Sequence, residues 1–182
     1  GETQEANRRV LLAGYHFGET TELFSVSYVV PGAKIEPGRY LVAESGYLLS
    51  EIRAVKQMGA NTFYLLDAGF NNLARPILYG AYHPMAVAHA ASSEPRGSSP
   101  RPSPTHAVIV GGPLCESGDV FTQAEGGVVE TRSLPAAQIG DLLVLHDTGA
   151  YGASMSSNYN SRPLIAEVLL DGEATRLIRR PQ

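Results

Sequence analysis

The stretch His106-Ala107-Val108-Ile109-Val110-Gly111-Gly112-Pro113-Leu114-Cys115-Glu116-Ser117-Gly118-Asp119 sets a short apolar run against a glycine-proline break and a small, polar loop. A run that short, rich in β-branched residues and closed by turn formers, reads as a buried strand. The same grammar recurs on both sides. Residues 62–67 read as a compact buried strand, and residues 141–146 as a strongly apolar one after the Gly140-Asp141 turn. Residues 121–123 and 128–131 flank Gly126-Gly127, and residues 166–170 and 176–179 flank Asp171-Gly172, so each pair carries a hairpin signal. Upstream, residues 10–17 and 23–30 suit a further hairpin. Residues 40–55 follow the Glu36-Pro37-Gly38-Arg39 turn, and Gly46 is expected to mark a bulge in that segment. Residues 71–79 open on Asn71-Asn72, good helix N-caps, but Pro76 limits them to a helical turn or two. Strands recurring at intervals of roughly 10–15 residues without long helices indicate a mainly β chain, a β-sandwich or partly open Greek-key barrel with a few short helical turns.

Composition narrows the function classes. The chain has 182 residues, is 43% hydrophobic and 18% charged, and carries a formal net charge of −4. That is enough chain to bury a core without disulfides or metals. The mild acidity argues against a nucleic-acid partner. No apolar run approaches the roughly 18 residues of a membrane span, which argues against a membrane partner. One cysteine, Cys115, excludes an internal disulfide framework and fits a reducing, cytoplasmic compartment. Residues 91–105 hold four prolines and five serines but no large apolar residue, and read as a mobile surface loop inside one domain.

The common catalytic motifs are missing. No phosphate-binding loop, nucleophile elbow or zinc-protease pattern occurs, and the five histidines stand apart without metal-ligand spacing. No metal site is expected. Three polar islands remain: Glu36-Pro37-Gly38-Arg39, the Cys115–Asp119 loop, and the stretch from Asp147 to Asn160 with Tyr151 inside it. Taken singly, each reads as an ordinary surface turn. Cys115, however, sits among carboxylates at 116 and 119 with glycines on either side. Such neighbours favour a neutral thiol, and a neutral thiol in an open loop can donate a proton as a general acid.

Taken in order, Glu36-Pro37-Gly38-Arg39, Asp67-Ala68-Gly69, Arg75-Pro76 with Tyr79, Cys115-Glu116-Ser117-Gly118-Asp119, and Gly149-Ala150-Tyr151-Gly152 through Tyr159-Asn160-Ser161-Arg162-Pro163 form a set. This set closely resembles the C-terminal part of the bacterial diaminopimelate decarboxylases, pyridoxal-phosphate enzymes of the alanine-racemase-like fold type III. The resemblance covers residues 34–180. Glu116, where ornithine decarboxylases typically carry Asp, and the Arg75-Pro76-x-x-Tyr79 pattern favour the diaminopimelate branch over the ornithine and arginine ones.

The resemblance implies roles residue by residue. Glu36 would face the pyridine nitrogen of pyridoxal 5'-phosphate, and Gly38 would let backbone amides approach its phosphate. Arg39 would bring positive charge to the phosphate or to the substrate carboxylate, and Tyr151 would contact the phosphate. Arg75, Tyr79 and Glu116 would hold the distal end of meso-2,6-diaminopimelate, Arg75 taking a carboxylate in its planar fork and Glu116 an ammonium. Cys115 would return a proton to the α-carbon once carbon dioxide has left, giving L-lysine. The cysteine and glutamate of the family reach the site across a dimer interface, so a homodimer is implied.

The chain also departs from the family pattern. A preceding (β/α)8 barrel carries the family's Schiff-base lysine, and neither Lys34 nor Lys56, the two lysines of this chain, fits that motif. Residues 1–33 do not resemble barrel strands and are read as an N-terminal strand-rich segment to which the resemblance assigns no origin; residues 34–182 are read as the sheet domain. The chain alone is expected to be inactive. Two alternatives stay open: a non-catalytic interaction or regulatory module, and a decarboxylase of another basic amino acid.

Overall fold

The computed structural model of the chain describes residues 38–90 and 104–182. The expected hairpin over 10–17 and 23–30, Lys34, Glu36 and almost all of the proline-serine loop lie outside them. The chain divides into two compact units, Gly1–Val42 and Ala43–Gln182. Among the described residues, the first holds one short helix, α1 (Gly38–Val42), on which Arg39 is half-buried.

The second unit is built on a six-stranded sheet. Its strands are β1 (Leu48–Met58), β2 (Asn61–Leu66), β3 (Met85–Ala88), β4 (Thr105–Gly111), β5 (Arg132–Pro135) and β6 (Leu142–Leu145). They lie in the order β3-β6-β1-β2-β4-β5. The two edge strands, β3 and β5, approach each other. The sheet therefore curls almost into a closed barrel, which removes most of its unpaired edge. Every neighbouring pair is antiparallel except β2 and β4, which run parallel from Thr62↔Val108 to Leu65↔Gly111. A parallel pair needs a long crossover. Here that crossover carries the second helix, α2 (Arg75–Tyr79), and β3. A separate two-stranded hairpin, β7 (Glu167–Asp171) with β8 (Ala174–Arg179), turns at the expected Asp171-Gly172.

Alternation fills the core. Leu48 and Ile52 from β1, Tyr64 and Leu66 from β2, Val108 and Val110 from β4, and Leu143 and Leu145 from β6 point inward, with Leu73, Phe121 and Leu134 completing the cluster. Each fully buried Leu, Ile, Val or Phe contributes about 1.5–3 kcal/mol against leaving it in water. Tyr64 is fully buried, yet its hydroxyl is satisfied: it accepts from the Ala137 backbone N–H at 3.0 Å and donates to the Pro135 carbonyl at 2.8 Å.

Three local expectations change. Gly46 is not a bulge in a strand. Residues 40–55 begin as helix and a 3-10 turn (Ala43–Ser45), and the strand starts only at Leu48. The glycine is required because the Gly149 backbone closes on it; a Cβ at 46 would stand 2.3 Å from the Gly149 nitrogen. The register shift of β1 lies between Ile52 and Ala54 instead. Asn71 and Asn72 do not cap a helix: α2 starts at Arg75 behind Ala74, with no side-chain cap, and both asparagines are buried in the preceding loop. The hairpin around Gly126-Gly127 shrinks to one bridge, Gln123↔Val129, and a 3-10 turn. Gln123 is buried and spends its amide on the Gly118 and Val120 carbonyls.

Candidate active site

The residues between β2 and α2, 67–74, join the pieces of the site. Their first turn is pinned to β1: Asp67 Oδ1 accepts from the Ser50 hydroxyl at 2.6 Å and from the Glu51 backbone N–H at 3.0 Å. Asn72 Oδ1 accepts from the Gly69 N–H, and the Asn72 N–H returns to the Gly69 carbonyl, which closes a tight turn. Phe70 and Asn71 then reach out to two other loops.

One of these is the tyrosine loop that follows β6. The Ser157 N–H donates to the Asn71 carbonyl at 2.8 Å, Phe70 packs against Tyr159 with ring centroids 4.7 Å apart and planes tilted by 59°, and Arg162 donates to the Asp67 carbonyl at 2.8 Å. Asp147, Tyr151, Asn160 and Ser161 all adopt positive φ in this loop. Left-handed backbone at a non-glycine residue costs about 1–3 kcal/mol and persists only where the surroundings impose it. Between Asp147 and Tyr151 the chain is held by the backbone around Gly46: the Thr148 N–H donates to the Gly46 carbonyl at 2.9 Å, and the Gly149 N–H to the Ala43 carbonyl at 3.0 Å.

The outcome is a three-residue stack. The Arg75 guanidinium carbon lies 5.4 Å from the Tyr79 ring centroid and 5.3 Å from that of Tyr151. Pro76 stands in the first turn of α2, where its missing N–H costs nothing, and Gly80 ends the helix in left-handed backbone at φ 60°. A fork of donors held between two phenols suits a carboxylate or phosphate.

The second loop carries Cys115 and Glu116, both exposed. It packs on α2 at Gly118, where a Cβ would meet Ile77 Cδ1 at 2.7 Å. Glu116 Oε1 accepts from the Gly118 N–H and the Ser117 hydroxyl. Asp119 is buried. Its carboxylate accepts from the Phe70 N–H at 2.7 Å and from the Leu114 N–H at 2.8 Å. Burial pushes the Asp119 carboxyl above its ordinary range, against those two hydrogen bonds and the Arg162 charge.

The sequence-predicted residues thus fall into groups. Arg75, Tyr79 and Tyr151 form one stack, and Cys115 and Glu116 occupy the loop packed against the same helix. Gly38 and Arg39 stand on α1 in the other unit, and Glu36 lies outside the described residues. Sequence reasoning missed Asn71, His83 and the work of Asp119. His83 is buried, with Nδ1 2.9 Å from the His146 carbonyl. Burial lowers its pKa, the carbonyl contact raises it, and the Arg75 charge lowers it further, leaving it below the ordinary value. None of these residues stands in a motif whose spacing betrays its partner.

Comparison with known proteins gives the family of the chain. Residues 27–149 match the family model for the pyridoxal-dependent decarboxylase C-terminal sheet domain. The chain is 62% identical over 149 residues to the diaminopimelate decarboxylase of Escherichia coli strain K12, an alignment covering 82% of this chain and 34% of that protein. A crystal structure of diaminopimelate decarboxylase at 60% identity superposes with a TM-score of 0.74, covering 80% of this chain and 33% of that one. The Helicobacter pylori diaminopimelate decarboxylase complexed with L-lysine is similar at 37% identity and a TM-score of 0.65, covering 81% of this chain and 32% of that one. The chain therefore spans about a third of the length of the relatives it matches.

Proposed function

The chain belongs to the pyridoxal-dependent decarboxylase family through its C-terminal sheet domain, and from that premise we propose that it is the sheet-domain part of a diaminopimelate decarboxylase, converting meso-2,6-diaminopimelate to L-lysine and carbon dioxide. The observation that carries this reading is the Arg75–Tyr79–Tyr151 stack beside the Cys115–Glu116 loop. The substrate has a second amino-acid end, and the stack of one protomer together with the loop of its partner supplies complementary groups for it.

The residues fit part of a pyridoxal-phosphate site. Tyr151 offers a phenol for the phosphate, and Glu36, Gly38 and Arg39 stand in the motif that serves the ring and phosphate. Among the described residues no lysine belongs to the cluster: Lys56 is exposed on β1, and Lys34 lies outside those residues. The lysine that anchors the cofactor belongs to a (β/α)8 barrel. When bound, the cofactor supplies an electron sink for the charge left on the α-carbon.

The chain's own residues do the rest. Arg75 grips the distal carboxylate in its planar fork, and Tyr79 and Tyr151 hold that fork in orientation. Glu116 takes the distal ammonium. Cys115 donates its thiol proton to the α-carbon, a general-acid step worth roughly 10²–10⁴ in rate. The protein works as a cytoplasmic homodimer in which each Cys115–Glu116 loop serves the partner's site. Among the described residues no helix is long and apolar enough to cross a membrane, which accords with this reading.

The test is carbon dioxide release from meso-diaminopimelate with added pyridoxal phosphate, first by the chain alone and then with a (β/α)8 barrel carrying the lysine. The expectation is no turnover alone and turnover in the reconstituted protein. Turnover by the chain alone overturns the assignment of half a site, and preference for ornithine overturns the substrate.

A further inference from the structure

We propose that Asp119 is the positioning residue that aims Cys115 and Glu116. The inference rests on the decarboxylase reading above and adds a residue to it.

Cys115 and Glu116 are exposed at the tip of a loop. An exposed side chain on a free loop has no fixed direction, yet proton transfer needs donor and acceptor within hydrogen-bond reach. The direction must come from the backbone. Asp119 supplies it twice over. Its Oδ2 accepts from the N–H of Leu114, the residue immediately before the cysteine, at 2.8 Å. Its backbone carbonyl accepts from the Gly112 N–H at 2.8 Å, and its own N–H donates to the Glu116 carbonyl at 3.1 Å. Residues 112–119 are thereby closed on themselves, with Cys115 and Glu116 at the apex.

The other carboxylate oxygen fixes where the closed loop points. Oδ1 accepts from the Phe70 N–H at 2.7 Å, in the loop that leads directly into the Arg75 helix. The backbone has been cleared for this carboxylate on both sides. A Cβ at Gly112 would stand 2.2 Å from Oδ2, and one at Gly69 would stand 3.0 Å from it. Gln123 backs the loop from behind through the Gly118 and Val120 carbonyls. One buried side chain thus fixes the proton donor and the ammonium-binding carboxylate to the body of their own sheet domain, which sets the direction in which the loop reaches the partner's site.

Asp141 provides the control. It is equally buried and also bridges two segments, accepting from the Gln138 and Ala90 N–H groups and contacting His89 Nδ1 at 2.9 Å. None of those partners belongs to the site. Two arms test the proposal with D119N, D119A and D141N. In the 182-residue chain, amide hydrogen exchange at Gly112, Leu114, Asp119 and Phe70 should speed up at least about tenfold in the Asp119 variants. D141N should leave these amides unchanged while speeding those at residues 90 and 138. In the complete decarboxylase carrying this sheet domain, D119N should lower kcat and raise KM together, about tenfold in each. C115S should act on kcat alone, E116Q mainly on KM, and D141N on neither per folded molecule. If D119A does not fold, the near-isosteric D119N is decisive.

Unchanged exchange in D119N overturns the proposal, and so does faster exchange with unaltered kcat and KM. Should the complete wild-type protein leave diaminopimelate untouched, the functional reading fails on its own, while the exchange arm still reports on the latch.

Discussion

The guanidinium carbon of Arg75 lies 5.3 Å from the centroid of the Tyr151 ring. Arg75 belongs to a helix in the crossover between β2 and β4, and Tyr151 to a loop after β6, so only the curl of the sheet brings them together. A lysine in place of Arg75 keeps the charge but loses the planar fork and the stacking surface. R75K is expected to raise KM for diaminopimelate by about tenfold, which is about 1.4 kcal/mol of binding, with a smaller change in kcat. Steady-state kinetics of the complete enzyme measure this, and an unchanged KM would remove Arg75 from the substrate site.

Gly46 and Gly38 make a matched pair. A Cβ at 46 would stand 2.3 Å from the Gly149 nitrogen, whereas one at 38 meets nothing within 4 Å. G46A is expected to cost about 2–3 kcal/mol by forcing apart the backbones that hold the tyrosine loop. G38A should stay within about 0.5 kcal/mol. Urea denaturation of the two variants checks the contrast, and equal midpoints would contradict the close approach.

Tyr64 tests the core. Phenylalanine in its place preserves the packing but leaves the Ala137 N–H without its acceptor and the Pro135 carbonyl without its donor. Y64F is expected to lose about 1–3 kcal/mol, read as a lower urea midpoint at unchanged slope. A neutral result would mean that water takes over both groups.

Two groups whose folded-state pKa values are lowered shape the pH dependence of stability, against Asp119, whose carboxyl burial holds above 3.8 and whose contribution is therefore lost as the pH rises through its folded-state value. Burial raises the Asp141 carboxyl, but hydrogen bonds from the Gln138 N–H, His89 and the Ala90 N–H outweigh it, leaving it below its ordinary 3.8. Its contribution is therefore complete above 3.8 and is lost as the pH falls through the folded-state value. His83 lies below its ordinary 6.5, chiefly because it is buried. Between that folded-state value and 6.5 the unfolded chain binds a proton that the folded chain refuses, so stability falls as the pH drops below 6.5. Thermal melts at descending pH should show both limbs. H83N, which can keep a donor for the His146 carbonyl, should flatten the upper limb, and D141N the lower. A slope just below 6.5 that H83N does not change would assign that limb to another group.

Much of this molecule is legible in its sequence because much of it is local. The β4 run ends at its glycines, and the last hairpin turns at Asp171-Gly172 because a two-residue turn is fixed by those residues themselves. Arg75, Tyr79, Cys115, Glu116 and Tyr151 are legible in another way: their order and neighbours match a family, although nothing in their spacing says that α2 will collect them. The errors share one cause. Asn71-Asn72 has the local chemistry of a cap, but its partners are Gly69 and Ser157. Gly46 has the local look of a bulge, but its reason is Gly149.

By itself, then, the sequence determined most of the strands and the turn of the last hairpin, since these depend on side-chain periodicity and turn stereochemistry within a few residues, while the candidate site residues were read from their match to a family. The tertiary structure alone decided that β2 and β4 run parallel, that Tyr151 is held in left-handed backbone beneath Arg75, and that Asp119 ties the cysteine loop to Phe70, 49 positions away. These are matters of which buried polar group meets which donor. A buried carboxylate must find its hydrogen bonds wherever the fold offers them, and no local pattern records where that is.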